Sequence, residues 1–137
     1  MDKQNQLIQT LLSLELPADD YAVFGSGTMF AYGIKDLGHD IDLIARGKAW
    51  EKALTLGNAE TTKLGGHKVV TLFDGVVEIF NGWTSSEWDI DELIDTADIV
   101  DGIRFVTLDN VVKWKKEMGR DKDFEHIRMI EDYLSKK

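Results

Sequence analysis

The tightest constraint on this chain is the run Asp40-Ile41-Asp42-Leu43-Ile44-Ala45, where two carboxylates interrupt an otherwise apolar segment. Acidic and apolar residues alternate with the period of a β-strand. Asp40 and Asp42 therefore leave one face, about 6–7 Å apart at Cα, while Ile41 and Leu43 point into the core. Two like charges held side by side against a core repel each other and are costly unless a cation lies between them. The chain has no cysteine and no paired histidines nearby, so hard oxygen ligands here suit Mg²⁺ or Mn²⁺ rather than zinc. A third carboxylate, Glu78, interrupts Val76-Val77-Glu78-Ile79-Phe80 in the middle of a second apolar run. If the two strands pair side by side, Asp40, Asp42 and Glu78 complete a three-carboxylate catalytic site for two metal ions.

Upstream, Tyr21–Phe24 reads as a short strand, followed by Gly25-Ser26-Gly27-Thr28 and a short helix over Thr28–Tyr32. Glycines at a strand-to-helix turn let backbone N–H groups approach a phosphate, and Ser26 and Thr28 add hydroxyl donors. The turn lacks the Gly-Lys-Ser/Thr ending of a P-loop and is not the dinucleotide fingerprint. The chain carries its own control. Asp89-Ile90-Asp91 repeats the tripeptide without a strand and glycine turn before it, in a helical stretch with Glu87 and Glu92. That copy reads as a charge cluster at a helix N-terminus.

The remaining pattern sets the fold class. Leu7, Leu11 and Leu14 mark an amphipathic helix over Asp2–Leu14, ended by Pro17, and a second helix covers Lys48–Leu56. A strand over Thr61–Leu64, turned by Gly65-Gly66, leads into Val69–Phe73 and Val76–Phe80, joined by the hairpin signal Asp74-Gly75. Thr84 and Glu87 form a capping box that opens a helix to about Ile94. Asp101-Gly102 turns a short pair, Asp98–Val100 with Arg104–Val106, and Leu108–Leu134 reads as two helices hinged at Gly119. These elements make one α+β (mixed α/β) domain spanning residues 1–137, a small mixed sheet flanked by helices with two more at the C-terminus. A net charge of −9 argues against an extended nucleic-acid surface, yet a divalent ion can still draw in a small anion. No apolar stretch has the length of a membrane span and the N-terminus lacks a signal profile, so the expected address is the cytoplasm.

Taken together, the apolar strand, Gly25-Ser26, thirteen intervening residues and Asp40-Ile41-Asp42-Leu43 resemble the signature of the DNA polymerase β-like nucleotidyltransferase superfamily. Leu108-Asp109-Asn110-Val111-Val112-Lys113-Trp114-Lys115 and Gly119-Arg120-Asp121-Lys122-Asp123 are similar to the tail of small bacterial members, most of all the branch containing AbiEii-type toxins. The resemblance implies transfer of a nucleoside monophosphate from an NTP to an unknown acceptor. Asp40, Asp42 and Glu78 would be the metal ligands and catalytic carboxylates, and Gly25, Ser26, Thr28, Lys35 and Lys115 the nucleotide ligands. Members often carry an arginine between turn and acidic strand and a serine before the first aspartate. Here Lys35 is the cation of that interval and His39 stands in the serine position. That difference, with the small size, supports an alternative: a non-catalytic module of the same fold, for example in a toxin–antitoxin pair. A protein partner or an oligomer is compatible with either reading. Use of Asp40 as a phosphatase nucleophile is disfavoured, because no clear Lys and Asp pair follows. His39, His67 and His126 share no zinc spacing. Trp83, Trp88 and Trp114 read as packing residues, Lys113 and Lys116 as a solvated face, and Lys122 with Asp123 as a salt-bridge and capping pair.

Overall fold

A computed structural model describes residues 1–63, 65–85 and 87–137. Its helices are α1 (Gln6–Ser13), α2 (Ser26–Ala31), α3 (Gly47–Leu56), α4 (Ile90–Asp95), α5 (Leu108–Met118) and α6 (Asp121–Ser135), with a 3-10 turn at Ala18–Asp20. The strands are β1 (Tyr21–Phe24), β2 (Ile41–Ala45), β3 (Ala59–Thr61), β4 (Lys68–Leu72), β5 (Val77–Phe80), β6 (Asp98–Val100) and β7 (Ile103–Phe105). They form one sheet in the order β3-β4-β5-β2-β1-β7-β6. Within it, β2 lies antiparallel to β1 and parallel to β5, and β1 runs parallel to β7.

Strand alternation sorts side chains into two cores. Val23, Ile41, Leu43, Val77, Ile79 and Phe105 face α1 and α3, where Ile8, Leu11, Ala49 and Ala53 are buried. Ala22, Phe24, Ile44 and Val106 face the other way, against Leu93 and Ile94 of α4, Val111 and Trp114 of α5 and Ile130 of α6. A sheet covered on both sides explains why its central strands read as almost continuously apolar. Among the described residues no helix is long and apolar enough to cross a membrane.

Several element boundaries move from their expected places for local reasons. The first helix starts at Gln6 rather than Asp2, because the Asn5 side chain accepts hydrogen bonds from the Leu7 and Ile8 amides at 2.8 and 3.3 Å. The Thr84–Glu87 capping box does not open a helix. Asp89 does, its carboxylate taking the Asp91 and Glu92 amides at 3.0 and 3.3 Å, so the repeated tripeptide is indeed a helix-start cluster. Ser86, inside the expected box, and Leu64, the end of the expected strand Thr61–Leu64, lie outside the described residues. The observed strand there is Ala59–Thr61. Gly119 closes α5 in the left-handed conformation, φ 62°, with its amide on the Lys115 carbonyl at 3.0 Å.

One glycine is required by packing. A Cβ at Gly27 would land inside the Cγ1 of Val23, because α2 folds directly back over β1. Gly27→Ala should therefore cost roughly 1–3 kcal/mol in urea denaturation. Val23→Ala should cost less in the Gly27→Ala background than in wild type; strict additivity would refute the contact.

Candidate active site

The parallel pairing of β2 with β5 is in register, Ile41 opposite Val77 and Asp42 opposite Glu78. Asp42 and Glu78 consequently emerge side by side on the face that holds Phe24 and Ile44, while Ile41, Leu43, Val77 and Ile79 fill the other face. Asp40 precedes the first residue of β2 and is exposed. Each of the three residues offers a carboxylate oxygen, and these oxygens all lie within 4.8 Å of one another.

Burial and like charge act together here. Burial, then the Asp40 and Glu78 charges, push the Asp42 carboxyl up to about 7, while Lys122 pulls it down. Glu78 is also raised, by burial and then Asp40, against a hydrogen bond involving Thr71. Asp42 Oδ1 is buried without a hydrogen-bond partner. A buried carboxylate oxygen left orphaned beside two further carboxylates has the unmet demand that a hard divalent cation satisfies. The residues fit Mg²⁺ or Mn²⁺, and Asp40, Asp42 and Glu78 are the ones that could hold it.

The carboxylates separate two cavities. On the Asp40 side is a cleft of about 410 Å³, walled by the Gly25–Ser26 turn, Lys35, Arg120, Lys122 and His126. Gly25 caps α2 at φ 76°, a conformation open to glycine and strained for other residues. On the Glu78 side is a cavity of about 380 Å³ whose wall is mostly apolar, with Phe80, Trp83, Trp114 and Met118. Asp42 and Trp114 border both.

The structure places the expected site residues unevenly. Gly25, Ser26, Lys35, Asp40 and Asp42 line the first cleft. Thr28 does not: it is fully buried and its hydroxyl donates to the Val106 carbonyl at 2.6 Å, tying α2 to the end of β7. Nor does Lys115 reach the cleft wall. It is 2% exposed, its Nζ donates to His126 Nδ1 at 2.9 Å, and it lies 3.7 Å from Asp123. Burial brings its ammonium down to about 8, with Asp123 opposing. The expected Lys122–Asp123 pair is replaced. Asp123, fully buried, takes Arg120 Nε at 2.6 Å and Nη2 at 3.0 Å, and caps α6 by accepting the Arg120 amide at 3.1 Å. Lys122 faces the cleft instead.

Arg120 and His126 were the cleft residues that sequence reasoning left without a role. The signal for Arg120 lay in Gly119-Arg120-Asp121-Lys122-Asp123, whose placement over the turn only the packing of α6 on α5 reveals. His126 is held by Lys115, and burial, then Lys115 and Lys35, keep its ring below its usual range. The histidine therefore stays neutral beside the cleft at physiological pH.

Among solved structures, the chain is similar to a Thermotoga maritima protein described as a “putative nucleotidyltransferase”. The match covers 98% of this chain and 96% of that one, with a TM-score of 0.62 at 15% identity. A Helicobacter pylori protein, JHP933, aligns with 82% of this chain and 56% of its own at a TM-score of 0.46 and 11% identity, too remote to carry an argument. No protein-family model matches the sequence, and no curated protein matches it. The first likeness establishes the fold, which is the expected mixed sheet with flanking helices.

The raised Asp42 pKa has a measurable consequence. Its ionised form is the costly one, so this residue weakens the metal-free protein as pH rises from the ordinary value, 3.8, to about 7. In calorimetry with chelator, Asp42→Asn should match wild type near pH 4 and exceed it at pH 8 by about 4 kcal/mol, a gain of roughly 10 °C or more in Tm. Added Mg²⁺ should stabilise wild type at pH 8 and leave the variant unmoved. Equal pH profiles for the two proteins would refute the assignment.

Proposed function

We propose that the protein is a metal-dependent nucleotidyltransferase, moving a nucleoside monophosphate from an NTP to an acceptor hydroxyl with release of pyrophosphate. The observation that carries this reading is the convergence of Asp40, Asp42 and Glu78 within 4.8 Å, with Asp40 and Asp42 lining a cleft walled by Lys35, Arg120 and Lys122. In this reading the three carboxylates hold Mg²⁺ or Mn²⁺. The bound ions supply charge neutralisation at the donor phosphates and a lowered pKa at the acceptor oxygen. Gly25 and Ser26 receive the β- and γ-phosphates, and Lys35, Arg120 and Lys122 balance their charge. Arg120 is pre-set for this by its two-pronged grip on Asp123, so little rotamer freedom remains to be lost on binding. Glu78, on the side away from Lys35 and Arg120, takes the acceptor's proton.

The arginine that relatives carry between turn and acidic strand has a substitute here, because α6 delivers Arg120 and Lys122 to the same cleft. This favours the transferase reading over an inert binding module. The placement beside the AbiEii-type branch rests on the tail motif, whose Arg120 and Lys122 belong to this cleft. Dependence on NTPs and Mg²⁺ fits a cytoplasmic address.

Isothermal titration of the wild-type protein with α,β-methylene-ATP and Mg²⁺ tests the reading. Saturable Mg²⁺-dependent binding is expected, abolished in Asp42→Asn and weakened about 10- to 100-fold in Arg120→Ala, the effect of losing a charge-assisted hydrogen bond. Folded wild-type protein that binds none of the four NTP analogues would overturn it.

A further inference from the structure

We infer that the cavity on the Glu78 side is the acceptor site, and that the acceptor is a small apolar molecule, planar in part, presenting one hydroxyl to Glu78. The inference rests on the nucleotidyltransferase reading and deepens it. Its first premise is stereochemical: in phosphoryl transfer the attacking and leaving oxygens lie roughly in line through phosphorus. With pyrophosphate leaving into the cleft of Gly25, Lys35 and Arg120, the attacking oxygen must come from the opposite side of the carboxylates. The cavity there is bordered by Glu78 and Asp42, whereas the cationic cleft is bordered by Asp40 and Asp42.

The second premise is the chemistry of the wall. Val69, Phe80, Trp83, Trp114 and Met118 form the apolar part of the wall of a cavity of about 380 Å³, which His67 and two threonines also line, the scale of a site for a small ligand. The aromatic part is rigid. Trp83 stacks on Phe24 at 4.3 Å and meets Phe80 and Trp114 edge-on at 5.3 and 5.2 Å. Among the described residues Lys63 is the Lys or Arg side chain lining this cavity, and the chain's net charge is −9. A polynucleotide acceptor would need a row of cations along its backbone. A rigid aromatic wall instead favours an apolar body that can lay a ring against it. The transfer balances as an alcohol plus an NTP: the acceptor oxygen bonds to the α-phosphorus, the α–β bridging bond breaks, pyrophosphate departs, and the hydroxyl proton passes through Glu78 to solvent.

The test uses the whole chain with naphthol as the probe acceptor. Calorimetry in the presence of Mg²⁺ and α,β-methylene-ATP should show naphthol binding in the roughly millimolar range or tighter, as expected for a ligand of this size. Val69→Trp, which fills the cavity from β4, and independently Met118→Trp, should each weaken naphthol binding at least about tenfold. Nucleotide binding, unchanged within about twofold in the same samples, doubles as the control for folding. With α-labelled ATP, wild type should pass label to naphthol and release pyrophosphate. Nucleotide binding without naphthol binding, or naphthol binding indifferent to both tryptophan variants, overturns the acceptor site alone. So does label passing to an oligoribonucleotide or a tyrosine peptide in preference to naphthol. Failure of nucleotide binding overturns the transferase reading and the acceptor role with it.

Discussion

The in-register parallel pairing of β2 with β5 is the constraint on which the rest of the molecule depends. It sets Asp42 beside Glu78 on one face and stacks Ile41, Leu43, Val77 and Ile79 on the other. Slipping either strand by one residue would turn its carboxylate into the core that faces α1 and α3 and expose its apolar partners. The hydrophobic core therefore enforces the close approach of two groups that electrostatics alone would separate. Folding energy gathered across a whole sheet is spent on one local repulsion, a common way for sites to hold strained or charged groups ready.

The opposite charges are organised just as indirectly. Asp123, fully buried at the start of α6, collects Arg120 and Lys115 and thereby ties the two C-terminal helices together over the carboxylates. Breaking such a buried pair leaves an uncompensated charge, so the helical hairpin and the electrostatics of the cleft stand or fall together. Lys115 acts on the cleft at one remove, through His126. An acidic protein thus gathers Lys35, Arg120 and Lys122 around one cleft, with Arg120 fixed there by a buried aspartate.

Much of this was legible in the sequence, and what was not has a physical cause. Alternation in Asp40–Ala45 and Val76–Phe80 located the carboxylates, and the Asp74-Gly75 hairpin and Gly119 hinge emerged as expected, because each depends on neighbours within a few residues. The errors lie where contacts are long-range or compete. Thr28 has the right chemistry for a phosphate ligand, but its hydroxyl serves Val106, far along the chain. Lys115 carries the charge of a ligand, yet the helical phase of α5 turns it inward. Thr84 and Glu87 have capping-box spacing, but Asp89 stands nearer the apolar run and takes the amides first. Arg120 and Lys122 enter the cleft only because α6 folds back on α5, a tertiary fact without a local signature.

The order in which these parts occur along the chain has a bearing on biosynthesis. All three carboxylates precede β6, whereas Arg120 caps α6 and Lys122 and His126 lie within it. Synthesis delivers the N-terminal segments first. A growing chain can thus assemble β1, β2 and β5 with their acidic face while β1 still lacks its partner β7 and Phe24 and Trp83 lack the cover of Trp114. Such an intermediate has an unpaired strand edge, an uncovered aromatic face and, of the Lys and Arg side chains that wall the cleft, Lys35 alone. β7 then pairs with β1, Trp114 covers the aromatic face and α6 brings in Arg120 and Lys122, so the sheet holds its carboxylates together before most of the charges that offset them arrive.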